Sequence, residues 1–377
     1  MRLIVHFGTP KTGTSALQET LLRHRRKLLG RGILYPRIAQ QRRHHILTGM
    51  FVSADKIHSG LLDRFGSEKE VRRAAEVAWK AVLEQIRRHK PGTVILSSEM
   101  FVFGSRQEEL ERLRDRLLEV TPTITAVLYV RSPAHYYLSG LQQNVRTGRL
   151  LPPHAFEFRS HIESIERVFG GDIIVRCFER HRLSGGDIVS DFFSAVLMDR
   201  SAAIGLETVT FNESISAEAM SIILQHRRIC LPDREGISHS SSSLLRHKLV
   251  QIERARGGVS RPRLRPEVDD AIVRASDDLL WLQQEYGIAF ADVDYAKVGT
   301  GGLGEIGCRG TVESICELDE ARRADLLYAV LGEILEPLSQ LHDVQRLLPA
   351  RQGLFLAGKG ARVLFAGAKS LRNVISR

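Results

Sequence analysis

An apolar run, Leu3-Ile4-Val5, leads into Gly8-Thr9-Pro10-Lys11-Thr12-Gly13-Thr14-Ser15, and this stretch of the 377-residue chain is the one best suited to hold an anion. Gly8 and Gly13 let the backbone turn and approach a ligand closely. Lys11 brings a mobile positive charge, and Thr12, Thr14 and Ser15 bring hydroxyls. Thr14 or Ser15 is placed to cap a helix whose apolar positions run on through Leu17, Leu21 and Leu22. The free N–H groups at such a helix start, with the helix dipole behind them, favour phosphate. A magnesium–nucleotide loop needs G-x-x-x-x-G-K-[ST], with Lys directly after the second Gly. Here Lys11 lies two residues before Gly13, so that register is absent.

A second stretch has complementary chemistry. Ile124, Ala126, Leu128 and Val130 read as a buried strand, and Arg131 sits at its carboxyl end. Pro133 suits the first position of a following helix. Ser139 then falls about two turns into that helix, on a side able to face back to the strand end. An Arg fork plus a hydroxyl holds a phosphate by charge-assisted bonds of roughly 1.5–3 kcal/mol each.

Together these stretches carry a resemblance. Pro10-Lys11-Thr12-Gly13-Thr14-Ser15 resembles the 5′-phosphosulfate loop of sulfotransferases that use 3′-phosphoadenosine-5′-phosphosulfate (PAPS). Thr125 to Ser139, with Arg131 and Ser139 eight residues apart, resembles the 3′-phosphate motif of the same family. Weaker likeness to bacterial members at 172–193, 212–220 and 264–287 extends the resemblance over roughly residues 1–290. It implies that Lys11, Thr12, Gly13, Thr14 and Ser15 hold the 5′-phosphosulfate and that Arg131 and Ser139 hold the 3′-phosphate. It further implies a cytoplasmic bacterial enzyme that needs no metal and sulfates a hydroxyl of a carbohydrate or glycolipid.

Sulfuryl transfer needs a cation at the leaving oxygens, for which Lys11 is placed, and a base for the acceptor's proton. Glu99 is the first candidate, at the end of the apolar run Thr93-Val-Ile-Leu-Ser-Ser and so expected at the carboxyl edge of a sheet. The pair His44-His45, in a basic loop, is the second, with His45 as its nominee. His6 reads as a packed strand residue.

The elements that must position these groups alternate. Strands are expected at 2–7, 93–98, 124–131 and 172–177, and helices at 14–29, 68–89, 107–120, 133–147, 157–169 and 187–198. That is an α/β fold, a P-loop-type parallel sheet flanked by helices. From about 214 the pattern turns mostly helical (214–229, 241–256, 266–286 and 318–347), with polar or glycine-rich joints at 236–243 and 299–304. The expected organisation is a donor-binding core over 1–210, a helical part completing it over 211–300, and a helical extension over 301–377.

The hydrophobic content of 43% suffices for a large core, and the net charge of +10 suits an acidic partner. With the resemblance, that partner is the donor and a glycan or glycolipid rather than nucleic acid. Four scattered cysteines, without a C-x-x-C pair, point to a reducing compartment and away from a zinc or disulfide framework. Met1-Arg2 leads straight into the first strand, so no leader is expected. The basic stretch 354–377 is expected to pack on the domain, with peripheral contact to a membrane surface as its other reading. Two further classes compete with the transferase: a nucleotide kinase with an unusual loop, and a non-catalytic binder of acidic glycans or anionic lipid surfaces.

Overall fold

Successive residues of the first strand point to opposite faces of a sheet, and both faces are dry. The computed structural model describes residues 1–9, 12–38, 43–101, 106–170, 173–199, 205–206, 214–303 and 310–347. Its five parallel strands are β1 (Arg2–Phe7), β2 (Ile33–Leu34), β3 (Thr93–Ser98), β4 (Ile124–Val130) and β5 (Ile173–Cys177). They run in the order β2-β3-β1-β4-β5. Leu3, Val5 and Phe7 join Val94, Leu96, Ala126 and Leu128 in the core of one face. Ile4 joins Ile95, Val127 and Tyr129 on the other. Burial on both faces is why these strands read as continuous apolar runs.

Helices cover the sheet. The first half contains α1 (Thr14–Arg23), α2 (Arg25–Leu29), α3 (Ser59–Phe65), α4 (Glu68–His89), α5 (Gln107–Leu118), α6 (Pro133–Asn144), α7 (Phe158–Phe169) and α8 (Ile188–Asp191). Trp79 and Val82 of α4, Leu113 of α5 and Ile165 of α7 pack on the first face. Leu17 and Leu21 of α1, with Ile188, Phe192 and Phe193 beyond β5, pack on the second. A helical part follows: α9 (Ala217–Cys230), α10 (Ser240–Ala255), α11 (Pro266–Arg274), α12 (Asp278–Tyr286) and α13 (Glu320–Leu347). The chain thus has the expected α/β architecture. It divides into two compact units, Met1–Leu326 and Leu327–Arg377, so that α13 contributes to both. In the second unit Leu327, Tyr328, Leu331, Ile334 and Leu335 are exposed. The basic stretch 354–377 lies outside the described residues.

Several helices differ from expectation for local reasons. The helix expected over 14–29 breaks at His24, where the Arg25 side chain donates to the Leu22 carbonyl at 3.3 Å. The helix expected over 266–286 breaks at 275–277: Ser276 Oγ donates back to the Ile272 carbonyl at 2.7 Å and Asp277 caps the next helix. The stretch 236–243 is a loop only in part. His239 caps α10, accepting from the Ser241 N–H, and the serines that read as linker form its first turn. The segment 187–198 is a short helix followed by a π turn over Phe192–Val196. β2, two residues long, was not expected at all.

Among the described residues no helix is long and apolar enough to cross a membrane. Cys177, Cys230 and Cys316 are free thiols.

Candidate active site

The carboxyl ends of β3, β1 and β4 lie side by side. Phe7 pairs with Ser98 on one flank and Leu128 on the other, and the Gly8 N–H donates to the Ser98 carbonyl at 3.4 Å. Everything that follows β1, β3 and β4 is therefore delivered to one edge. There the strand order reverses, the chain after β1 leading to β2 on one side and the chain after β4 to β5 on the other, the place where open parallel sheets bind ligands.

The described residues flanking positions 10–11 are tied together and to the sheet. Thr9 donates to the Tyr129 carbonyl, and Thr12 Oγ1 donates to the Thr9 carbonyl at 2.8 Å. Gly13 stands at φ 76°, in the left-handed region, and is the N-cap of α1. A Cβ there would sit 2.9 Å from the Phe178 ring, so position 13 excludes a side chain on both counts. The cap was expected at Thr14 or Ser15. Instead no side chain caps the helix, and Thr14 is its first residue. Its first backbone bonds run from the Ala16 and Leu17 N–H groups to the Gly13 carbonyl, so those of Thr14 and Ser15 precede the ladder. Thr14 Oγ1 is buried without a hydrogen-bond partner. It lies where a Cβ on Gly8 would reach it at 2.5 Å. An orphaned hydroxyl under a close-approach loop fits an anion that brings its own acceptors. Lys11 lies outside the described residues.

The two base candidates are neighbours. Glu99 opens a short 3₁₀ turn at the end of β3, and His45 lies in the 3₁₀ turn His44–Met50. His45 Nε2 stands 3.6 Å from Glu99 Oε1, while its Nδ1 is 2.7 Å from Ser98 Oγ. Ser98 Oγ also accepts from the Met100 N–H at 3.1 Å. With the imidazole proton on Nε2, toward Glu99, the Ser98 hydroxyl donates to Nδ1. Burial foremost, then the Arg43 charge, pushes the His45 pKa down to about 3. His45 is thus a neutral ring beside a carboxylate. Arg43 completes the cluster: Nη1 donates to Glu99 Oε1 at 3.1 Å and Nη2 to Ser15 Oγ at 2.8 Å. Sequence reasoning passed over Arg43; its only signal was its place directly before the histidine pair.

His44 and His6 are structural. His44 Nδ1 accepts from the Ser97 N–H at 3.0 Å and its Nε2 lies 2.9 Å from the Pro36 carbonyl, so both ring nitrogens tie the 3₁₀ turn to β3 and to the segment after β2. His6 Nδ1 is 2.8 Å from Ser97 Oγ, and its ring packs edge-on to Tyr129 and Phe192. Burial lowers His6 from 6.5 to about 3 and His44 to about 4. The unfolded chain takes up these protons below pH 6.5 while the folded chain does not. Stability is therefore expected to fall as pH drops from 6.5 toward 4, by up to about 1.4 kcal/mol per pH unit per histidine. Urea midpoints across that range test this, and a flat profile would contradict it.

At the end of β4, Arg131 is half-buried. Burial pushes its pKa down, Asp292 opposes this and Arg261 adds to it. Ser132 Oγ donates to Asp292 Oδ2 at 2.7 Å, and His135 Nδ1 lies 2.8 Å from the same oxygen. Burial alone would raise the Asp292 carboxyl, but His135 and Ser132 outweigh it and hold it below the usual carboxylate range. Ser139 is half-buried on α6. Behind the site, buried Asp191 accepts from Tyr129 Oη at 2.8 Å, from Arg176 and from the Ser184 N–H, tying β4 and β5 to α8. Asp292, 160 positions after Ser132, left no trace in the sequence pattern.

No family model matches the chain, and no curated protein matches it in sequence. Among solved structures, the crystal structure of a sulfotransferase from Alicyclobacillus acidocaldarius is similar over 64% of this chain and 99% of that chain, at 15% identity and a TM-score of 0.36. Values that low leave the function to the site's own residues.

Proposed function

We propose that this chain is a PAPS-dependent sulfotransferase acting on a hydroxyl of a carbohydrate or glycolipid. The observation that carries the reading is the gathering of an anion-suited loop, a carboxylate–imidazole pair and a cationic strand end at the carboxyl edge of three adjacent strands. The N–H groups opening α1 and the hydroxyls of Thr14 and Ser15 would hold the 5′-phosphosulfate, with Thr12 bracing the loop through its bond to the Thr9 carbonyl and Lys11, by its place in the sequence, at the leaving oxygens. Arg131 and Ser139 would hold the 3′-phosphate.

The donor supplies an activated sulfuryl group. The acceptor oxygen forms a bond to sulfur as the bond from sulfur to the bridging oxygen breaks, by analogy with in-line phosphoryl transfer. The acceptor's proton goes to Glu99, and the leaving nucleotide keeps the bridging oxygen and its negative charge. The proton is assigned to Glu99 rather than His45 because the imidazole Nδ1 is already engaged with Ser98 Oγ at 2.7 Å and burial disfavours a charged ring there.

Calorimetry with 3′-phosphoadenosine-5′-phosphate (PAP), without metal, against 5′-AMP and magnesium-ATP tests the donor. PAP is expected to bind at least about tenfold tighter than 5′-AMP, since the 3′-phosphate adds one or more charge-assisted bonds. A preference for magnesium-ATP would replace this reading by the kinase, and polyanion binding without PAP binding would replace it by the non-catalytic binder.

A further inference from the structure

Arg43 makes two bonds with one guanidinium, and they belong to two halves of the proposed chemistry. Nη2 holds Ser15, in the first turn of the helix that closes the anion loop, and Nη1 holds Glu99, the proposed base. The side chains of Arg43 and Glu99 are 40% and 20% exposed, so neither is locked in a dry core. A hydroxyl and a single carboxylate are modest partners for a guanidinium. A phosphosulfate presents more negative charge and several acceptor oxygens, and a planar fork matches such a group bidentately. Donor and base therefore compete for the same cation.

We propose that Arg43 is a donor-sensing positioning residue, which restrains Glu99 in the absence of donor and turns to the phosphosulfate when it binds, releasing the carboxylate to the acceptor hydroxyl. This rests on the sulfotransferase reading and adds an order to it: the base becomes available only once the loop is filled. No bond to sulfur is made by Arg43, and no proton is taken by it; it trades hydrogen bonds.

Such competition has a thermodynamic signature. If Glu99 holds Arg43 back from the donor, removing the Glu99 charge must tighten donor binding, and only while Arg43 is present. PAP affinity is therefore measured calorimetrically for the wild type, E99Q, R43Q and the double variant. E99Q is expected to bind PAP about fivefold or more tightly than wild type. In the R43Q background the same change is expected to matter by no more than about twofold. Plain repulsion between Glu99 and the anionic nucleotide predicts the opposite, a gain that persists or grows once Arg43 no longer screens the carboxylate. R43K separates charge from bridging: a single ammonium cannot span Ser15 and Glu99 as the fork does. It is expected to bind PAP more tightly than R43Q and still lose the Glu99 effect, and it also serves should R43Q fail to fold.

An undiminished E99Q gain in both Arg43 backgrounds, or no gain in the wild type, overturns the switch and leaves the donor reading standing. Failure of the wild type to bind PAP overturns the donor reading, and the switch with it.

Discussion

Glu99→Gln is expected to lower sulfuryl transfer by about 10²–10⁴-fold while PAP still binds at least as well as to the wild type. The two side chains have the same shape. The amide oxygen of the variant accepts from Arg43 Nη1 as the carboxylate does at 3.1 Å, so the bridge to Ser15 keeps its geometry. What is lost is the lone pair that takes the acceptor's proton. His45, 3.6 Å away, does not substitute, because its Nδ1 is engaged with Ser98 Oγ and burial disfavours a charged ring there. PAP release from PAPS in the presence of glycan acceptors reads the rate, and calorimetry reads the binding. Turnover within about tenfold of wild type would place the base elsewhere, and His45→Gln is then the variant to compare.

Arg131→Ala is expected to weaken PAP by about 10- to 150-fold, the equivalent of a charge-assisted pair at roughly 1.5–3 kcal/mol, and to leave 5′-AMP binding nearly unchanged. The selective loss is the point: Arg131 stands at the end of β4, one strand from the loop after β1, so the proposed 3′- and 5′-phosphate contacts are expected to be separable. The fold is expected to tolerate the change. Asp292, the acidic group nearest in charge, keeps the Ser132 hydroxyl at 2.7 Å and His135 at 2.8 Å. A parallel loss of 5′-AMP affinity would mean that Arg131 supports the whole site rather than the 3′-phosphate. An unchanged PAP affinity would remove it from the donor site.

Much of this protein was legible because the relevant order is local. The strands at 2–7, 93–98 and 124–130 announce themselves as apolar runs since both faces of the sheet are buried; their order and register came from the structure. The loop from Gly8 to Ser15 needs no distant residue to be recognised: glycines, hydroxyls and a helix start stand in one turn of chain. Arg131 was placed at a strand end by the same short-range logic. β2 escaped because two residues carry no period. The helix breaks at His24 and 275–277 escaped because a side chain there satisfies a backbone carbonyl, Arg25 at Leu22 and Ser276 at Ile272, which composition does not display.

The site beyond the loop was decided in three dimensions. His44 and His45 are adjacent and chemically identical, yet the 3₁₀ turn points one ring at the Pro36 carbonyl and the Ser97 N–H and the other at Ser98 and Glu99. Nothing in their order distinguishes the staple from the site residue; the direction of each Cβ does. Glu99 and Arg43 are 56 positions apart and meet because strand order places β3 next to β1, so that Arg43 reaches groups after both strands, Glu99 and Ser15. Asp292 reaches Ser132 and His135 across an even longer gap. By itself the sequence determined a parallel α/β sheet whose first strand leads into a glycine- and hydroxyl-rich helix start, because backbone geometry and burial act between near neighbours. Which carboxylate, imidazole and guanidinium stand beside that helix start only the tertiary structure decided, because packing sets side-chain direction and brings distant segments into contact.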